Sequence, residues 1–210
     1  MALLKTPWKL RLPGTTKPAG NNETLPVPAA HASSYWEPAG AGVFGLAVLT
    51  LYLQPLWSIT VRVPASYDEG WNAYHAAAAI GGGMLYPSRE GLISNNYPPL
   101  SFYVVGALGR LSGDNIIAGR LIALASLVAV AGNIFLVLRA LGAARAQSGF
   151  GALLFLAYAG AFFRGYVAMD EPQWFGHALM TGGLVIFLRL HGRIPASSLG
   201  FLAPALLVAG

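Results

Sequence analysis

The chain has 210 residues, 55% of them hydrophobic and only 10% charged, whereas a soluble domain carries roughly 25% charged residues. That shortfall excludes an ordinary water-soluble globule, and the apolar residues come in long blocks that point to lipid as the solvent. The absence of cysteine excludes disulfides and thiolate metal sites, and the net charge of +5 gathers at the ends of apolar blocks, which reads as membrane topology rather than nucleic-acid binding.

Residues 1–38 are polar and rich in Pro, Gly and Asn, with Lys5, Lys9, Arg11 and Lys17, and read as a flexible cytoplasmic tail. Apolar blocks long enough to count as spans follow at about 39–60, 116–138, 148–163, 174–190 and 195–210. Between the first two lies an outer loop, residues 62–115. Within it, Asp68 is an N-cap or first-turn acid of a helix through "DEGWNAYHAAAAI", which "GGG" at 81–83 ends. On that helix Asp68, Asn72 and His75 are spaced to share a face, and Trp71 and Tyr74 suit the membrane interface.

The stretch Pro99–Leu111 has 13 residues, about 20 Å of helix against a bilayer core of about 30 Å, which is too short to span. If it does not cross, eight of the 13 Lys/Arg lie in the cytoplasm and six of the eight carboxylates lie outside. If it crosses, the basic loops at Arg139–Arg145 and Arg189–Arg193 change sides, against the positive-inside tendency. It therefore reads as an interfacial or re-entrant helix, entered through "NNYPPL". The expected fold is an all-α, multi-pass transmembrane helical protein with interfacial helices in its first outer loop.

In the second outer loop, Asp170 and Glu171 precede Pro172, which suits the first turn of the next helix. Two acidic pairs, Asp68–Glu69 and Asp170–Glu171, thus stand on one side of the membrane with Arg120 and Arg164. Taken singly, such acids are usually helix caps or solvated loop residues, and His75, His177 and Arg120 near span ends commonly snorkel to headgroups. Together they suggest a set able to hold an anionic ligand and activate a hydroxyl.

In order, spacing and membrane side these motifs resemble the amino-terminal part of the integral-membrane glycosyltransferases of the GT-C superfamily. They are most similar to the protein O-mannosyltransferase and lipid A aminoarabinose transferase branch. The elements that carry the resemblance are "YDEGWNAYHAAAAI", "NNYPPLSFYVVGALGRLSGD", "AGRLIALASLVAV" and "AMDEPQWFGHAL", over about residues 40–193.

The resemblance implies transfer of a sugar from a polyprenyl-phosphate donor to a hydroxyl of a glycan, lipid or protein acceptor. The site would face the outside, or periplasm, of a bacterial inner membrane. A carboxylate of the first outer loop acts as general base in such enzymes, which maps onto Asp68 with Glu69 as the neighbouring candidate. Arg120 or Arg164 would hold the leaving phosphate, and Asp170 matches the acid that positions the acceptor or, in some relatives, a divalent metal. Glu171, Asn96, Tyr97 and His75 complete the candidate substrate-binding residues. No tight ligand cluster calls for a metal, and no cofactor is certain.

Members of the family are far longer, and this chain ends inside the apolar run "FLAPALLVAG". A truncated gene or a fragment is therefore expected, inactive alone only if residues beyond 210 supply the lipid-binding cavity. Two other classes compete with the enzyme reading. One is a transporter or channel component with Asp170, His177 and Arg120 along a polar path. The other is a non-catalytic membrane subunit packing through small residues such as "GAGVFG" at 40–45.

Overall fold

A computed structural model describes residues 36–86 and 95–190, together with position 206. The expected tail over 1–38, apart from the start of the first helix, and nearly all of the expected span over 195–210 lie outside these residues. So does the linker 87–94 with Arg89 and Glu90. The described residues are all-helical, with no strand.

Six α-helices follow one another among residues 36–190 as described: α1 Trp36–Ser58, α2 Tyr67–Gly81, α3 Leu100–Ser112, α4 Asn115–Ala140, α5 Arg145–Phe162 and α6 Pro172–Leu190. A single 3-10 turn, Arg164–Tyr166, bridges α5 to the loop before α6. Two helices are long and apolar enough to cross a membrane: α1 over Ala39–Ser58 and α4 over its whole length. α5 and α6 fall where the third and fourth apolar blocks lie, and α3 is the short helix expected from Pro99–Leu111.

The helix ends follow local chemistry. Ser66 caps α2 by accepting from the Glu69 N–H at 3.3 Å. Of the two roles open to Asp68, the structure therefore takes the first-turn acid, where the helix dipole favours it. Gly82 ends α2 at φ 80°, a left-handed conformation that glycine adopts without penalty. Asp114 caps α4, accepting from the N–H groups of Ile116 at 2.9 Å and Ile117 at 3.1 Å. Pro172 opens α6.

α4 is the central element, packing against α2, α3, α5 and α6. α2 and α3 pack closely because Gly106 has no side chain: a Cβ there would lie 2.3 Å from the Ala76 carbonyl oxygen. A small core of Ala76, Val105 and Ala118 joins these two helices to α4. A larger one unites Val48 and Tyr52 of α1, Leu127 of α4, Ala159 of α5, and Val167 and Ala168 of the loop before α6. Asn133 ties α4 to α6 by donating to Thr181 Oγ1 at 2.9 Å and to the Ala178 carbonyl at 3.1 Å.

On the expected shared face of α2 the three residues differ in burial. Glu69, Asn72, His75 and Ala76 are buried, while Asp68 is exposed. Asp68 lies within about 40° of Asn72 and about 20° of His75 round the helix, so the spacing holds although burial does not extend to the first residue of the set.

Candidate functional site

The starts of three helices meet at one end of the bundle. Glu69 lies in the first turn of α2, Arg120 near the start of α4, and Asp170 and Glu171 directly before α6. Helix N-termini present unpaired N–H groups and positive dipole ends, which explains why acids gather there.

Arg120 is 1% exposed and Glu69 0%. They form a bidentate pair, Arg120 Nε donating to Glu69 Oε1 and Arg120 Nη2 to Oε2, each at 2.7 Å. The remaining guanidinium donors reach the backbone carbonyls of Ser58, Val61 and Val63. All five N–H donors of Arg120 are therefore engaged. Glu69 also accepts from the Ala65 N–H at 2.6 Å and the Asp170 N–H at 3.2 Å, which fills its acceptor positions. The pair thereby clamps the α1–α2 connection and the loop before α6 onto the start of α4.

This geometry bears on two expected roles. Arg120 has no donor left for a leaving phosphate, and Glu69 has no lone pair free for a hydroxyl proton. Asp68, by contrast, is exposed and lines a 320 Å³ cleft together with Arg164, Ser66 and Tyr166. Of the four residues considered for catalysis or phosphate binding, Asp68 and Arg164 are the two that face open space.

Asp170 is 3% exposed and sits on the α4 backbone at Gly119, where a Cβ would meet its Cγ at 2.1 Å. Its carbonyl accepts from Asn72 Nδ2 at 2.7 Å. Its Oδ2 is buried without a protein partner among the described residues. Burial pushes the Asp170 carboxyl up to about 8, with Glu69 and Glu171 adding to the shift and Arg120 opposing it. At neutral pH this group is therefore mostly an uncharged acid. Two residues earlier, Ala168 holds φ 52°, a left-handed conformation that non-glycine residues rarely adopt. The buried, hydrogen-bonded loop around it keeps it there.

Glu171 is 6% exposed, and its Oε1 is also buried without a partner among the described residues. Burial raises its carboxyl, while the Tyr97 hydroxyl and the Gln173 backbone pull it down and Asp68 raises it again. The influence of Asp68 places the two acidic pairs close enough to feel each other. Tyr97 is raised in turn, chiefly by burial and then by Glu171.

Glu171 also lines a 530 Å³ cavity whose walls include Phe155, Tyr158, Trp174, His177 and Thr181. Tyr166 borders both this cavity and the Asp68–Arg164 cleft. A smaller recess of 210 Å³ adjoins through Gln173 and is lined by Tyr97, Ser101 and Phe175.

His75 stands apart from the open site. It is 0% exposed, boxed by the rings of Trp71, Tyr74 and Phe102 at centroid distances of 5.0, 5.4 and 5.4 Å. Both ring nitrogens lack protein partners among the described residues, and burial lowers its pKa. Its expected place on an interfacial, substrate-facing surface is thus replaced by a packed one between α2 and α3. Asn96 is exposed in the segment before α3.

Among the described residues, no three His, Cys, Asp or Glu side chains are arranged to hold a metal ion. Sequence reasoning missed Gly119, Gln173, Trp174 and Tyr166 as site residues. Gly119 had a local signal, since a glycine directly before a span-opening arginine marks a close approach. The aromatic walls had none, because apolar rings in a span read equally well as lipid-facing.

No known family model, curated protein or solved structure matches this chain. The functional reading is carried by the residues themselves.

Proposed function

We propose that this chain is a multi-pass, GT-C-like membrane glycosyltransferase of the bacterial inner membrane. It moves a sugar from a polyprenyl-phosphate donor to an acceptor hydroxyl on the non-cytoplasmic face. α1, α4, α5 and α6 cross the bilayer, and α2 and α3 lie at its outer boundary. The observation that carries this reading is the open cleft shared by Asp68 and Arg164, beside an apolar cavity. A carboxylate and a guanidinium face one space, with room for a lipid chain next to them.

The step follows from that pairing. The acceptor hydroxyl gives its proton to the Asp68 carboxylate, and its oxygen bonds to the anomeric carbon of the donor. The bond from that carbon to the phosphate oxygen breaks, and its electron pair leaves with the lipid phosphate, whose charge Arg164 receives. Arg120 and Glu69 hold the loops that frame the cleft and touch neither reactant. The buried charges also favour an enzyme over a transport path, because they collect at one end of the bundle rather than along its length.

The test is Asp68→Asn in the purified protein reconstituted with radiolabelled polyprenyl-phosphate sugar. General-base loss predicts a fall in transfer of about 10²-fold or more, with unchanged thermal stability. Transfer at the parental rate would remove Asp68 from the mechanism.

A further inference from the structure

The cavity between α4, α5 and α6 has a polarity that the donor lipid does not match. Its walls are aromatic and aliphatic, with Phe155, Tyr158, Phe163 and Trp174 prominent. Among the described residues no Lys or Arg lines it, and the ionisable ones that do, apart from tyrosines, are Glu171 and His177. A phosphate placed here would meet a carboxylate and find no cation, an arrangement that repels rather than binds.

The Glu171 oxygen asks for something else. Its Oε1 is buried and without a hydrogen-bond partner among the described residues, and the residue lines the cavity. A buried acceptor in a native structure is almost always matched by a donor. The cavity volume of 530 Å³ lies inside the range of roughly 300–1,000 Å³ typical of small-molecule sites, which are mostly apolar with a few convergent polar groups.

We infer that this cavity binds a neutral lipid alcohol, its apolar chain against Phe155, Tyr158 and Trp174 and its hydroxyl donating to the half-satisfied Glu171 carboxylate. The binding site stands apart from the glycosyltransferase reading, since a hydroxyl that donates its one proton to Glu171 is not the one that gives it to Asp68. The phosphate of the donor belongs in the cleft, where Arg164 is, and the alcohol belongs in the aromatic cavity, where no cation is.

Trp174 lines the cavity and supplies the readout. The purified full chain in detergent is titrated with a brominated long-chain alcohol while tryptophan fluorescence is followed. Trp174→Phe separates the signal of this residue from that of the other four tryptophans. Two brominated probes of the same chain length serve as comparisons: the methyl ether, which cannot donate a hydrogen bond, and the alkyl phosphate.

The expected result is saturable quenching by the alcohol that disappears in Trp174→Phe. The ether and the phosphate bind about tenfold more weakly or worse, the scale of one charge-assisted hydrogen bond. Glu171→Leu should abolish the preference for alcohol over ether, whereas Glu171→Gln, which keeps a carbonyl oxygen, should retain it. Equal quenching by all three probes, or none from Trp174, overturns the inference. The two readings fail separately: alcohol binding without any sugar transfer removes the enzymatic reading alone, and transfer without alcohol binding removes this one alone.

Discussion

Replacing Arg120 with methionine tests whether the Arg120–Glu69 pair is the clasp that organises this end of the molecule. The substitution keeps length and removes every donor. Glu69, 0% exposed, would lose both of its 2.7 Å charge-assisted bonds and remain a buried carboxylate held by two backbone N–H groups. The carbonyls of Ser58, Val61 and Val63 would lose their donor at the same time. Removing one partner of a buried pair costs about 3–5 kcal/mol, a large part of a total stability of about 5–15 kcal/mol.

Reversible unfolding of the purified protein, followed by circular dichroism, measures the loss. Combining Arg120→Met with Glu69→Gln should cost less than the sum of the single changes by about 1–3 kcal/mol, because the two residues share one interaction. Arg120→Lys should recover little, since an ammonium cannot make the two-pronged contact and reach three carbonyls together. A loss below about 1 kcal/mol for Arg120→Met, against the range expected for buried pairs, would refute the clasp. It would also free Arg120 for the phosphate role from which its engaged donors now exclude it.

Other expectations follow from the same geometry. The Asp170 carboxyl is raised from its ordinary 3.8 to about 8, so the folded state binds its proton more tightly than the unfolded state. The stability it contributes is full below about 4 and is lost as pH rises through 8; Asp170→Asn should flatten the unfolding curve across that window and gain most at its alkaline end. For His75, burial lowers the pKa below its ordinary 6.5, so the sign reverses. Its contribution is present above about 6.5 and lost as pH falls, and His75→Phe should reduce acid sensitivity in melts compared at pH 5 and pH 7. Gly106→Ala would push a methyl into the Ala76 carbonyl at 2.3 Å, and should cost about 1–3 kcal/mol by forcing α2 and α3 apart; an unchanged melting temperature would show that the two helices can separate freely.

Much of the helical plan was legible in the chain. The apolar blocks placed α1, α4, α5 and α6 to within a few residues, because helix length and hydropathy are properties of contiguous sequence. The stops and starts were equally local: Gly82 adopts its left-handed conformation next to α2, and Pro172 opens α6 without a neighbour's help. The gathering of acids at helix starts was also readable, since helix N-termini attract carboxylates wherever they occur.

Which acid does what was decided only in three dimensions. Asp68 and Glu69 are adjacent and chemically alike, yet one faces open space and the other is sealed against Arg120. That difference depends on which stripe of α2 meets α4, and helix propensity carries no information about rotation around the axis. Arg120 lies 51 residues from Glu69 and about 60 from the carbonyls it holds, so no local pattern could reveal that its donors were already engaged. Asp170 and Glu171 looked like ordinary N-terminal helix acids, and they became a raised, half-satisfied pair because the packing of α4 and α6 took them out of water. The sequence by itself determined where helices run and where charges concentrate, both local properties; the tertiary structure decided which charges remain available for chemistry, because availability is set by partners that only folding brings within reach.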